Sequence, residues 1–185
     1  LCTVLAILGC IMLTGCKKWS ETETGPITIV LNRGGKTLGY STASGLRLVL
    51  DRGFAFKDLN RNGKLDPYED WRLSADARAR DLASGMSIDQ IAGLMLYSAH
   101  QSIPAAGGPF ASTYNGRPFA ESGAKASDLT DAQRKFLTDD NVRHILVTSV
   151  ETPEIAAQWN NNVQALCESL GLGIPANNSS DPRHG

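Results

Sequence analysis

The densest run of metal-ligating side chains is Asp58-Leu59-Asn60-Arg61-Asn62-Gly63-Lys64-Leu65-Asp66-Pro67-Tyr68-Glu69. Its spacing fits every position of the EF-hand calcium loop. Asp58, Asn60 and Asn62 alternate, so their side-chain oxygens can converge on one hard cation, and Gly63 permits the sharp turn that closes the loop. Lys64 offers its backbone carbonyl, Asp66 reaches the ion through water, and Glu69 supplies a bidentate carboxylate from the start of an exiting helix that Pro67 suits. Leu65 points back to a core. A single loop with three carboxylates predicts one structural Ca2+ rather than a paired sensor, clamping the hairpin on its amino-terminal side to the helices on its carboxyl-terminal side. The competing reading is a solvated Asn- and Asp-rich turn.

The chain around this loop has 185 residues, a formal net charge of −1 and 42% hydrophobic residues. Its Lys and Arg are scattered rather than massed on one face, which argues against nucleic acid as a partner. No segment after the first 16 residues has the roughly 18 apolar residues of a membrane-spanning helix. The opening stretch, residues 1–16, has the length and apolarity of a signal peptide. Its end, Leu13-Thr14-Gly15-Cys16, resembles the bacterial lipobox, which implies lipidation at Cys16 and a membrane partner through that lipid anchor. The resulting expectation is an exported lipoprotein of the bacterial cell envelope, with residues missing at the front because no Met or basic leader precedes Leu1. Cys2 and Cys10 then leave with the signal, Cys167 remains as a small core residue, and no disulfide framework exists.

The elements that must position the loop are read from periodicity. Residues 17–26 are polar and without hydrophobic period, which predicts a flexible tether. Two β-rich runs, Ile27–Leu31 and Leu46–Leu50, predict a small β-hairpin within a hairpin and calcium-loop region over 27–73. Between them Gly35-Lys36-Thr37 has the ending of a phosphate-binding loop, but Val30 stands where the earlier glycine is required, so nucleotide binding is rejected. Helices are expected over Ser74–Met86, then from the capping box Ser87-Ile88-Asp89-Gln90 with Ile91, Leu94 and Met95 on its apolar side, and from a second capping box at Thr130-Asp131-Ala132-Gln133. The Gly-, Pro- and Ser-rich stretch from His100 to Lys125 reads as a long loop.

From residue 144 the pattern becomes strand, helix, strand: His144–Ser149, a helix opened by Thr152-Pro153 and running over Glu154–Leu170, then Gly173–Asn178. This βαβ unit predicts an α/β fold with a parallel sheet. A (β/α)8 barrel needs ~250 residues, so the expected architecture over 74–185 is an incomplete TIM-type barrel, its first βαβ unit only, with the chain ending inside its own domain.

Leu172-Gly173-Ile174-Pro175, followed by the run into Asp181-Pro182-Arg183-His184-Gly185, resembles glycoside hydrolase family three. The segments Leu82–Ser87, Trp159–Gln164 and Phe56–Trp71 agree in order, so the resemblance spans about Phe54 to Gly185. It implies a (β/α)8 barrel followed by an α/β sandwich, and hydrolysis of β-linked glucosides or oligosaccharides with retention through a glycosyl-enzyme intermediate. It also implies that the nucleophile and the acid/base residue lie in later segments, so no catalytic residue is assigned here. The resemblance aligns Asp181 with the aspartate that accepts hydrogen bonds from hydroxyls of the bound sugar, and it gives Arg183 and His184 no such role. Asn160–Asn162 and Gln164 are expected to serve packing. The alternatives are a β-xylosidase or β-N-acetylglucosaminidase of the same family, and a non-enzymatic calcium-binding envelope lipoprotein. A single calcium loop leading into a βαβ unit disfavours the last.

Overall fold

The structure, a computed structural model, describes residues 17–105 and 112–180. Two small cores are joined by contacts that centre on one charged residue.

The first core lies under antiparallel strands. β1 (Trp19–Thr24), β2 (Ile27–Asn32) and β3 (Thr37–Ser41) form a sheet with β2 in the centre. The expected tether is therefore largely strand. The two-residue turn at Gly25 and Pro26 sets Thr24 opposite Ile27 and gives the polar Ser, Thr and Glu side chains of β1 an exposed edge. Such an edge needs no hydrophobic alternation. The two β-rich runs are both strands, but they do not pair with each other as the expected hairpin. The second run belongs to β4 (Arg47–Asp51), which pairs with β5 (Phe54–Asp58) through Arg52 and Gly53. Both turn residues have positive φ, at 49° and 85°, as a tight hairpin twisted with its strands requires. In β2 the inward residues are Thr28, Val30 and Asn32, leaving Ile29 and Leu31 exposed.

Asn32 joins the three-stranded sheet to the β4–β5 hairpin. Its amide donates to the Ala55 carbonyl at 3.1 Å and accepts from the Ala55 amide at 2.8 Å, so one side chain replaces a missing strand neighbour. Trp71 covers this contact. Its indole donates to the same Ala55 carbonyl at 3.2 Å and stacks on the fully buried Phe56 at 5.0 Å. Its ring also fills the space a Cβ at Gly35 would need.

The helices begin where their caps predict. α1 (Ala75–Ser84) is capped by Ser74, α2 (Ile88–Leu94) by the Ser87/Gln90 box and α3 (Asp131–Thr138) by the Thr130/Gln133 box. Each box satisfies two otherwise orphaned helix-end amides. The expected apolar side of α2 is not buried among the described residues: Ile91 and Met95 are 42% and 79% exposed. The helix instead packs through Gly93, the one position where the Asp140–Asn141 backbone can approach it.

The second core is parallel. β9 (His144–Val150), helix α4 (Pro153–Ser169) and β10 (Asn177–Ser180) form the expected unit, with β10 beginning later than predicted. The turn before it needs positive φ at Gly171 and Gly173, which delays the strand. A third parallel strand, β6 (Gln101–Ile103), pairs with β9 inside the stretch expected as loop, giving the order β10-β9-β6. Its three residues include Gln and Ser and carry no hydrophobic period. The same stretch holds a small hairpin of β7 (Thr113–Tyr114) and β8 (Arg117–Pro118). Ile103, Ile145, Leu129 and Leu137 meet Trp159, Val163 and Cys167 of α4 in one cluster. This sheet is open among the described residues.

Glu168 of α4 ties the two cores together. Its carboxylate accepts the Lys57 ammonium at 2.6 Å and the Ser41 amide at 2.8 Å, with 11% of the side chain exposed. Removing a buried partner strands the other charge, at a cost of about 3–5 kcal/mol for a fully buried pair. Lys57 is 25% exposed, so the lower end applies. Glu168→Ala should therefore lower stability by about 3 kcal/mol, read by denaturant unfolding with Trp fluorescence. Lys135→Ala, which breaks a pair at 3.5 Å with both partners more than half exposed, should barely change the midpoint. Equal shifts for the two would show that Glu168 is not a linchpin.

Candidate functional site

The loop from Asp58 to Glu69 leaves β5 and ends in a turn held against α1. Asp58 is the last residue of β5 and is 2% exposed; its Oδ2 accepts the Gly63 amide at 3.0 Å, and Gly63 has φ of 75°. This is the sharp reversal that the glycine was expected to permit. Glu69 is 4% exposed and folds back across the loop, accepting from the amides of Leu59 at 2.7 Å, Asn60 at 3.3 Å and Asp66 at 3.1 Å. The first and last residues of the loop thus become its two buried acids.

Between them, the amide groups of Asn60 and Asn62 each donate to Asp66 Oδ2 at 2.6 Å. Their oxygens accept from the amides of Asn62 and Lys64. In this arrangement the NH2 groups face Asp66, and turning each amide by half a rotation exchanges donor for acceptor there. Among the described residues no three His, Cys, Asp or Glu side chains cluster as a metal group; this donor set depends on amide and carbonyl oxygens beside its carboxylates. The Lys64 side chain is exposed.

Glu69 does not open a helix, contrary to expectation. Residues 66–70 form turns through Glu69 and Asp70 amides donating to the Asp66 carbonyl, and α1 starts only at Ala75. The helix still holds the loop end. Asp81 accepts the Tyr68 amide at 3.0 Å and Arg78 donates to the Tyr68 carbonyl at 2.9 Å. Sequence reasoning missed both, because either would serve equally well on a solvated helix face. It also missed Glu168, although Asn161, Gln164 and Glu168 recur at helical spacing and mark a polar stripe on an otherwise apolar helix.

Charge separates the loop from its surroundings. Immediately outside it, Asp70 pairs with Arg72 through contacts at 2.7 and 2.8 Å, which hold its carboxyl below the usual range, and Arg72 also reaches Asp51. Inside it, none of Asp58, Asp66 and Glu69 has a Lys or Arg partner among the described residues. Asp58 Oδ1 is buried there without a hydrogen-bond partner. Burial pushes the Glu69 carboxyl above the usual range, with the three loop amides acting in the opposite direction. The Tyr68 phenol is raised by burial and then by the Glu69 charge. Unpaired buried carboxylates of this kind are costly unless a cation or a proton compensates them.

The other expected site residues belong to other parts of the sequence. Asp181, with Arg183 and His184, and the lipidation candidate Cys16 lie outside the described residues. The strand that leads to Asp181 is well anchored: Gln164 accepts the Ala176 amide at 3.1 Å and donates to its carbonyl at 2.9 Å, and the Asn177 amide donates to the Arg143 carbonyl at 2.7 Å. Asn162 donates to the Ser127 carbonyl. These are the packing roles expected of the α4 amides. Cys167 is fully buried, and burial pushes its thiol up, as befits a core residue.

The raised Glu69 carboxyl has a sign that can be tested without any metal. A folded chain that holds a proton more tightly than the unfolded one gains stability below the ordinary carboxylate value and loses it as pH rises through the raised value. With chelator present, raising pH from about 4 to about 7 should therefore destabilise the protein relative to Glu69→Gln, which has no proton to lose. Parallel pH profiles of the unfolding midpoint for the two proteins would contradict the assignment.

No family model matches the chain. It is 39% identical over 140 residues to the periplasmic beta-glucosidase/beta-xylosidase of Dickeya chrysanthemi. The match covers 75% of this chain and 19% of that relative, so the chain spans about a fifth of the protein it resembles. The loop from Asp58 to Glu69 and the parallel unit thus belong to a chain that is similar, over most of its length, to a limited portion of a periplasmic glycosidase.

Proposed function

We propose that the chain is the amino-terminal portion of an exported retaining glycoside hydrolase of family three, releasing terminal β-D-glucose from glucosides or oligosaccharides. The similarity to the Dickeya protein carries this reading, since that relative is named for glycoside hydrolysis and for the periplasm. The parallel strands β6, β9 and β10 support it as the opening of a (β/α)8 barrel, whose ligands gather beyond the carboxyl ends of its strands. Asp181 comes directly after β10. In this reading its carboxylate accepts hydroxyls of the sugar beside the scissile bond, while a nucleophile and an acid/base residue from later segments break it. The relative's name also includes β-xylosidase, so xylosides are the second substrate class. Comparing kcat/KM on 4-nitrophenyl glucoside and xyloside separates the two.

Calcium is the group the loop fits. The orphaned buried oxygen of Asp58 and the uncompensated charge of Glu69 are what a bound cation would relieve. Asp58, Asn60, Asn62, Asp66 and Glu69 would hold it through side chains and Lys64 through its carbonyl, and the ion would supply charge neutralisation rather than catalysis. Calorimetric titration should find one calcium site in the intact protein, weakened in Glu69→Gln by at least the roughly 10- to 100-fold that losing even an outer-shell partner costs. Equal affinity in both proteins would exclude this loop.

The sugar contact has its own test. A charged hydrogen bond is worth ~1.5–3 kcal/mol, and two hydroxyls sharing one carboxylate raise the loss to ~3–5 kcal/mol. In the intact enzyme Asp181→Ala should thus lower kcat/KM about a hundred- to a thousandfold. Calcium affinity and melting temperature should be nearly unchanged. Near-normal kcat/KM would rule out the role, and a fall in melting temperature with normal kinetics would reassign Asp181 to loop capping.

A further inference from the structure

The loop does more than close on itself. Its donor positions 58, 60 and 62 alternate with Leu59 and Arg61, and those two side chains reach the turn between α4 and β10. Arg61, at φ of 60°, donates through Nη2 to the Glu168 carbonyl at 3.3 Å and to the Ser44 carbonyl at 2.9 Å. Glu168 lies in the last turn of α4, where carbonyls lack a helical partner. Leu59 packs on Gly173 so closely that a Cβ there would sit 2.8 Å from Leu59 Cδ2 and 3.0 Å from its Cβ. Lys57, one residue before the loop, grips the Glu168 carboxylate. Contacts from residues 57, 59 and 61 therefore bracket the turn from Glu168 to Gly173, and that turn delivers the chain into β10.

We propose that the loop is a cation-dependent positioning element for β10, with Leu59 and Arg61 as the positioning residues that transmit its order. This rests on the reading of the loop as a calcium site and deepens the glycosidase reading, because β10 is the strand that presents the proposed sugar-binding carboxylate. The physical link is short. A cation that draws in the oxygens of Asp58, Asn60 and Asn62 fixes the backbone on both sides of Leu59 and of Arg61. Without that neutralisation, the buried acids of the loop oppose its closure, and the Leu59 and Arg61 contacts on the turn share its looseness. The Asn177 amide, bonded to the Arg143 carbonyl at the start of β10, then reports the difference. Two sites linked in this way also bind with reciprocal coupling.

The experiment is amide hydrogen exchange of the intact protein, with calcium or with chelator, read over residues 171–180 and accompanied by calorimetric calcium titration. Calcium should slow exchange there by about fivefold or more. In the Leu59→Ala/Arg61→Ala double variant, calcium should bind within about threefold of the normal affinity while the protection of β10 falls below about twofold. Calcium that binds normally but leaves exchange in 171–180 unchanged would overturn the coupling and leave the metal site standing. Full protection in the double variant would overturn the role of these two residues. Failure of calorimetry to detect calcium would remove the metal reading and the coupling together. Because the readout is exchange, it does not depend on the role given to Asp181.

Discussion

One carboxylate with two partners orients the two halves of this chain on each other. Glu168 accepts a lysine from β5 and an amide from the end of β3, and its own carbonyl receives Arg61 from the loop. Three separate segments of the amino-terminal half thereby converge on the last turn of a single helix. Each of the two cores is small, one centred on Val30, Ala55 and Phe56 and the other on Ile145, Val163 and Cys167. Apolar contact is not directional, and many relative placements of two small cores would bury similar area. A nearly buried ion pair with a second donor admits few placements, so it supplies orientation where hydrophobic packing supplies cohesion.

The same reasoning explains why polar residues occupy so many inward positions. Asn32 substitutes for a strand edge by matching both backbone groups of Ala55, and Gln164 does the same for Ala176 ahead of β10. Both side chains set an NH2 donor beside an acceptor oxygen, in the separation of the donor and acceptor of a peptide unit. They extend hydrogen-bond continuity across places where the chain cannot run a regular ladder. The amino-terminal sheets and the parallel unit are thus stitched by side chains that imitate backbone.

Much of this was legible from residue order. The capping boxes at Ser87 and Thr130 located two helix starts, and Thr152-Pro153 located a third, because each depends only on local hydrogen bonds and fixed φ. The loop from Asp58 to Glu69 was visible because its residue types are spaced for convergence, and Gly63 adopts the conformation that spacing needs. Strand pairing was far less legible. Ile27–Leu31 and Leu46–Leu50 look like partners by composition, but the turn at Arg52-Gly53 captures the second run for a strand that begins at Phe54. β6 is too short to show a period, and β1 is too exposed to need one. The long-range ties of Glu168 and Asp81 were out of reach, since a charged residue on a helix announces its partner only once the fold brings that partner near.

Cys167 has a different consequence. Among the described residues it is the free cysteine, fully buried on the inner face of α4, and burial pushes its thiol up. In an oxidising compartment a protonated, enclosed sulfur neither exchanges with disulfides nor climbs the oxidation ladder at a useful rate. Its chemistry waits on the opening of the helix that carries it. The rate at which a thiol reagent consumes Cys167 is therefore a clock for α4 lifting from the sheet, built into the chain without any added label.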